Sequence, residues 1–464
     1  MKNFLIVIFV LLNTQLRAQQ NKPELFSVDA FITQVKLYHP VAKQSDILVQ
    51  KAAAQLLASR GGFDPALTLD ASRKTFDGTN YYFYTNPELK IPTTFGVDIK
   101  AGIESNGGKY LNPEVTSGNT SYLGFEVPLA KGLLIDKRRA ALQQAKIFSS
   151  QSEQERLQVI NNLLFDAYNA YWQWAGSYQL YAVYTKYLQL SAARFRLVNI
   201  AYKNGDRAAM DTLEALTQVQ NFEMLQADAV LKINNAAIEL SNFLWQQNDS
   251  AFQLPEQYVP DTVQFAVSLA PQPLEQIVAQ SLIDNPLLRS YNYKLAALNV
   301  ERRLKFQSLL PELNAKANLL NKDYNVVKGL DAAFLQNNYK WGINFKLPLF
   351  LREGRGDYRA AKLKIEETNY ALSAKRRETE NKIRSYYNEV TQYQKQLQIT
   401  QDMFNNYTTI LKQEDLKLRN GESSLFLVNT RENKVIETAQ KLIELRVKYQ
   451  KAYYAVLWAG GLLR

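Results

Sequence analysis

Two stretches of this chain are too long and too unbroken to be helices of a globule. Between Gly132 and Lys203 there is no proline and a single interior glycine, Gly176. Leu157, Ile160, Leu164, Ala167, Tyr171, Trp174, Tyr178, Tyr181 and Leu188 recur there at heptad-like spacing, a seam built with aromatics. From Phe350 to Arg419 proline is again absent, and Ile383, Tyr386, Val390, Tyr393, Leu397, Phe404, Tyr407 and Leu411 keep the same spacing. At the rise of an α-helix these stretches would run roughly 108 and 105 Å. Each stops at a similar turn, Asn204-Gly205-Asp206 and Asn420-Gly421-Glu422, where glycine suits the left-handed residue that closes a helix. A shorter return helix follows each, ending near Leu244-Trp245 and Leu457-Trp458. The first return helix and the helix opening at Pro286, stacked end to end, would match one long helix, roughly 66 and 36 Å against 108 Å. A hollow cylinder of long helices lined by stacked short ones follows.

The same plan is written twice. A helical pattern starts at His39-Pro40 and ends at Gly61-Gly62 before Phe63-Asp64-Pro65; another starts at Asn285-Pro286 and ends before Leu310-Pro311. Proline suits a helix's first turn and stops a helix just beyond its end. Alternating segments come next. Leu67, Leu69 and Ala71 alternate with polar residues, as do Leu313, Ala315, Ala317 and Leu319. In Tyr339-Lys340-Trp341-Gly342-Ile343-Asn344-Phe345-Lys346-Leu347 every odd position is bulky and apolar, which puts two unlike faces on one strand. Its counterpart is Leu123-Gly124-Phe125-Glu126-Val127, and both run into Pro-Leu, at Pro128-Leu129 and Pro348-Leu349. An aromatic-rich apolar face opposite Lys, Asp and Glu fits a barrel in lipid with a wet lumen better than a soluble sandwich. A further alternating segment, Val97, Ile99, Ala101 and Ile103, falls in the first half only. If the flanking helices share a compartment, each half crosses an even number of times. That segment is then either an extension of a neighbouring strand or part of an outer loop.

The remaining sequence narrows the class. Residues 1–18 read as a secretory signal: Lys2, the apolar run from Phe4 to Leu12, and a polar stretch ending at Ala18. The expected divisions are a first repeat over 19–245 (strands about 66–129, long helix about 132–203), an inter-repeat linker over 246–272, and a second repeat over 273–464 (strands about 312–349, long helix about 350–419). The linker reads as a polar, proline-bearing surface connection. No run approaches the roughly 18 apolar residues of a membrane helix, so any crossing must be made by a closed β-barrel. There is no cysteine, and His39 is the one histidine. That removes cysteine nucleophiles, His-Cys metal clusters and HExxH sites. Nucleotide-binding glycine motifs are absent, and no carboxylate pair stands in a pocket-like context. No catalytic residue, cofactor or metal is expected, and the chain does not read as an enzyme. Arg355-Gly356-Asp357 spells an adhesion tripeptide, but it sits where a helix begins. The formal charge of +11 is spread among Glu along the helices, which suits anionic lipid head groups rather than nucleic acid.

In order and spacing the chain resembles the TolC family of outer-membrane efflux proteins over nearly all of its mature length. Pro348-Leu349-Phe350 followed by Arg352, Gly354 and Arg355 is similar to that family's strand-to-helix junction. The resemblance implies a mainly α fold with a membrane β-barrel: a homotrimer in outer-membrane lipid whose subunits each give four strands to a barrel of about twelve, continued by a periplasmic α-helical tunnel. It also implies a periplasmic adaptor protein and an inner-membrane pump or transporter as partners. Family members narrow the tunnel with acidic residues just past the tip glycine. At those spacings stand Asp211 and Glu214 after Gly205, but Leu427 and Thr430 after Gly421. Asp211, Glu214 and Leu427 are therefore the candidate pore constriction. Gly205, Asp206, Arg207, Gly421, Glu422 and Ser423 are the candidate adaptor-docking tips, and their charges depart from the small, apolar tips of familiar members. Tyr339, Trp341, Ile343, Phe345 and Leu347 are the candidate lipid-facing strand. The expected function is a passive exit duct of a tripartite efflux or export system, with small molecules favoured over metal ions or polypeptides as cargo. The rivals are a pore-less periplasmic coiled-coil scaffold or surface tether and, with less support, a secreted carbohydrate-active enzyme.

Overall fold

The long periodic stretches form helices of the expected kind. The computed structural model describes residues 24–112, 114–266, 272–323 and 337–464, and the signal segment read at residues 1–18 lies outside them. The helices are α1 (Val28–Tyr38), α2 (Pro40–Arg60), α3 (Lys137–Lys203), α4 (Ala209–Ser241), α5 (Thr262–Ala266), α6 (Leu274–Asp284), α7 (Pro286–Gln307), α8 (Arg352–Arg419) and α9 (Leu425–Gly460). The strands are β1 (Glu24–Phe26), β2 (Ala66–Phe76), β3 (Thr79–Pro92), β4 (Asp98–Gly107), β5 (Gly118–Pro128), β6 (Tyr258–Pro260), β7 (Glu312–Lys322) and β8 (Tyr339–Lys346). With 67 and 68 residues, α3 and α8 each extend about 100 Å. Among the described residues no helix is long and apolar enough to cross a membrane.

The chain divides into two compact units. The first holds residues up to Asp46, Leu157–Asn285 and Arg377–Arg464. Its core gathers the aromatic seam of α3, with Leu164, Ala167, Tyr171 and Trp174 buried as their spacing requires. Trp172, off that seam, is equally buried and stacks against Phe265 and Tyr454, because α3 is covered on more than one side. A second cluster joins Ile383 and Val390 of α8 to Tyr449, Ala452 and Val456 of α9. The segment expected to be a surface connection contributes more than that. Its β6 pairs in parallel with β1, and Phe265 is fully buried. Tyr171 fastens this corner, its hydroxyl donating to the Phe26 carbonyl at 2.8 Å.

The second unit, Ile47–Arg156 with Pro286–Arg376, is built on one antiparallel sheet in the order β2-β3-β4-β5-β7-β8. This corrects the expected four strands per subunit. The segment at 97–104 is neither an extension nor part of a loop: it is β4, hydrogen-bonded along both edges. Its companion β3 was not legible as a strand. Tyr81-Tyr82-Phe83-Tyr84 is bulky on both faces, and Pro87 interrupts the ladder to β4. The missed signal was Asp77-Gly78, whose two positive φ angles make the tight turn between β2 and β3. Among the described residues the first half thus gives four strands to this sheet and the second two, both even numbers. Ile135, just before α3, and Ala140 within it pack with Val300 of α7.

Candidate functional site

The sheet is inverted relative to that of a soluble protein. One lateral row runs Leu67, Leu89, Ala101, Leu123, Leu319 and Tyr339 across all six strands. Every large side chain in it is open to the surroundings. The edge strand β8 is the extreme case: Tyr339, Trp341, Ile343 and Phe345 are 59%, 67%, 60% and 62% exposed, and Leu347 just past it 43%. Burying apolar surface in water-excluding surroundings is favourable at about 25 cal/mol per Å², so a face this apolar is not built for water. Exposed Phe76 and Tyr110 stand at one end of the strands, with Tyr81 beside both, its ring 6.1 and 4.9 Å from theirs. Phe95, Leu349 and Phe350 are exposed at the other. Two rims of this kind match the aromatic girdles of membrane barrels.

The other face is polar and cross-linked. Lys90 pairs with Asp98 at 2.9 Å, and Arg138 from α3 reaches the same carboxylate at 2.9 Å. Lys100 and Lys316 both hold Glu126, at 2.8 and 3.4 Å. Tyr122 lies across β4, where a Cβ on Gly102 would come within 2.4 Å of its hydroxyl. That hydroxyl donates to Glu88 of β3 at 2.7 Å. Charged and aromatic groups thus tie β3, β4, β5 and β7 together on one side.

The two helix tips are built alike. Asp206 N donates to Ala201 O and Gly205 N to Tyr202 O; Glu422 N donates to Lys417 O and Gly421 N to Leu418 O. This is the double bond pattern that closes a helix over a left-handed residue, with φ +83° at Gly205 and +79° at Gly421. The return helices start differently. Ala208 offers no side-chain cap to α4, whereas Ser424 accepts from Leu427 N at 3.4 Å, and Ser423 donates to Glu414 at 2.5 Å. Asp206 and Glu422 are exposed, and Arg207 lies 3.7 Å from Asp211.

Asp211 and Glu214 line different hollows. Asp211 borders one of about 660 Å³ with Lys186, Arg194, Arg207, Asp415 and Arg419. Glu214 opens on a groove of about 490 Å³ that it shares with Met210, Leu213, Phe426 and Thr430. Leu427 is also exposed but does not line that groove. Sequence reading passed over Met210, Leu213 and Phe426, large apolar side chains exposed in the first turns of α4 and α9. Behind them Arg194 grips Glu432 with two nitrogens at 2.9 and 3.0 Å. The Glu432 side chain is 1% exposed, and Gln218 donates to it at 3.3 Å. This clamp joins α3, α4 and α9 just behind the tip.

No group of acidic or histidine side chains suited to a metal occurs among the described residues. Comparison with curated proteins gives no match. Among solved structures, the chain is similar to the Campylobacter jejuni CmeC outer membrane channel, with 15% identity, TM-score 0.64 and coverage of 94% of this chain and 85% of that one. It is similar to the Vibrio cholerae outer membrane protein VceC, with 15% identity, TM-score 0.63 and coverage of 93% and 95%. It is also similar to the open state of the Neisseria gonorrhoeae MtrE outer membrane channel, with 12% identity, TM-score 0.64 and coverage of 94% and 89%. At these identities the likeness is one of fold. The sequence match is independent of it: residues 34–244 and 277–461 fit the outer membrane efflux protein family, and the chain belongs to that family.

Proposed function

We propose that this outer-membrane efflux channel is the passive exit duct of a tripartite system. Three copies close one barrel in outer-membrane lipid. Cargo is taken up at the helix tips, where a periplasmic adaptor links the duct to an inner-membrane pump, and is released through the barrel. The observation that carries this reading is the inverted sheet: an apolar face from Leu67 to Tyr339 left open, and an opposite face bridged by Lys90–Asp98 and Lys100–Glu126 ion pairs. An open sheet edge in hydrocarbon leaves backbone groups unpaired at several kcal/mol each, so such a sheet must close. No energy source is needed in the duct, and small molecules remain the favoured cargo.

The test is reconstitution. Purified protein should run as a heat-modifiable trimer and give discrete conductance steps in a planar bilayer. A soluble, non-conducting monomer would instead favour a periplasmic scaffold. Within the duct, Asp211, Glu214 and Leu427 form the constriction, and the residues from Gly205 to Arg207 and from Gly421 to Ser423 meet the adaptor. The double variant Asp211→Ala with Glu214→Ala should raise resting conductance or weaken cation block. Unchanged conductance and ion selectivity would remove both residues from gating.

A further inference from the structure

We infer that the barrel of this protein has eighteen strands, closed where β8 of one protomer pairs with β2 of the next. The inference rests on the trimeric duct proposed above, and it follows from what β3 and β4 do in the sheet.

These two strands are built in, not appended. Their lateral partners continue one register from Ala66 through Lys90, Lys100, Gly124 and Asn318 to Lys340. Their apolar residues Leu89, Ile91, Ile99, Ala101 and Ile103 extend the same face as Leu123 and Leu319. On the polar face Tyr122 reaches over Gly102 to Glu88, so β5 holds β3 across β4. The turn between them is anchored as well. Arg139 of α3 donates to Phe95 O at 3.5 Å and Leu133 O at 3.0 Å, which pins the turn to the junction leading into the long helix. Removing the pair from the barrel would break the Arg138–Asp98 and Lys100–Glu126 bridges and carry an apolar face out of lipid.

The free edges are then β2 and β8, and every residue of both is exposed in the single chain. A second copy of this chain is the occupant that fits. Ala66 lies in lateral line with Lys340, while β8 continues to Lys346. Levelling the strand ends around a ring therefore offsets each protomer from the next by about six residues. With strands about 4.8 Å apart and about 3.4 Å of rise per residue, that offset tilts the strands about 35°, inside the range of closed barrels. It sets Leu67 and Leu69 opposite Phe345 and Ile343 on the lipid side. On the lumen side it sets Asp70 opposite Gly342 and diagonal to Lys340. An offset of about eight would instead oppose Lys74 to Lys340, like charges that destabilise a cross-strand pair. Barrel diameter grows roughly with strand number, so this opening would be about one and a half times as wide as one of twelve strands. Selection by size would then fall to the helix tips.

The absence of native cysteine makes the test clean. Lys340→Cys is combined in turn with Asp70→Cys, Ser72→Cys, Lys74→Cys or Glu104→Cys, and the protein is oxidised in outer membranes. The expected result is a ladder of covalent dimers and trimers for Ser72→Cys, weaker for its two β2 neighbours, and none for Glu104→Cys. Cross-linking through Glu104→Cys would mean that β4 is the closing edge and the barrel has fewer strands. A heat-modifiable trimer with no cross-link at any β2 position would also overturn the inference. A chain that fractionates as a soluble monomer would instead sink the duct on which it rests.

Discussion

In the first repeat an 11-residue helix, a break at His39 and a 21-residue helix lead into the sheet; in the second, an 11-residue helix, a break at Asn285 and a 22-residue helix do the same. The long helices have 67 and 68 residues and the return helices 33 and 36. Between the short and long helices the repeats part company. The first places β3 and β4 between β2 and β5, whereas the described residues of the second give the sheet β7 and β8 alone. In the proposed duct, helix length is shared because the helices of both repeats would span one assembly in step. Strand number is free to differ in pairs, because adding a hairpin returns the chain to the side it left.

The sharpest way to break the likeness between repeats is at the tip. Arg194 and Glu432 tie α3 to α9, but the position on α8 that corresponds to Arg194, counted from the tip glycine, is Ile410, which has no carboxylate to hold. Arg194→Ala leaves the Glu432 carboxylate buried without its partner and should cost about 3–5 kcal/mol, read as a lowered midpoint for loss of helical signal in detergent. Ile410→Ala should cost well under half as much, and adding Glu432→Leu to Arg194→Ala should recover much of the loss. A midpoint unmoved by Arg194→Ala would show that the clamp is open in the assembly.

The inserted hairpin offers the next contrast. Gly102→Val drives a side chain into Tyr122 and should cost about 1–3 kcal/mol, seen as a lower midpoint for loss of β-sheet signal when the dissociated chain is unfolded in detergent. Gly342→Val in β8, where nothing in the same chain stands within 4 Å of a new Cβ, should be close to silent in that measurement. Equal effects would mean that Tyr122 does not bridge the strands.

The tip glycines test sameness. Both have positive φ and open space around them, so Gly205→Ala and Gly421→Ala should each cost about 1–2 kcal/mol from backbone strain alone. A difference of twofold or more in unfolding free energy between the two would show that the tips are not equivalent.

The smallest effect lies at the helix breaks. Burial lowers His39 below its usual 6.5, partly offset by a bond to Asn242. Val41 N also donates to His39 Nδ1 at 3.2 Å, which requires that nitrogen unprotonated. The fold therefore prefers the neutral ring. Its stabilisation is complete above the unfolded value and is lost as pH falls through that value towards the folded one. Thermal midpoints should drift down slightly between about pH 7 and pH 5.5, and His39→Gln should remove that drift. Asn285, at the matching break, does not titrate, so a drift that survives His39→Gln has another source.

Much of this molecule is set by local sequence. The long helices, the glycine tips, the paired prolines and the alternation in β8 depend on backbone preference and side-chain period, which a linear chain displays. The apolar and polar sets of Tyr339 to Leu347 separate in the sequence for the same reason. Tertiary structure decided what depends on partners far apart in the chain. It made β3 a strand despite Pro87 and its two-sided aromatics, because β2 and β4 supply its hydrogen bonds. It set Asp211 on a hollow that α3, α8 and α9 also line, and Glu214 on a groove between α4 and α9. It buried Glu432 behind the tip, because a carboxylate is tolerable there only with Arg194, 238 residues away, in reach.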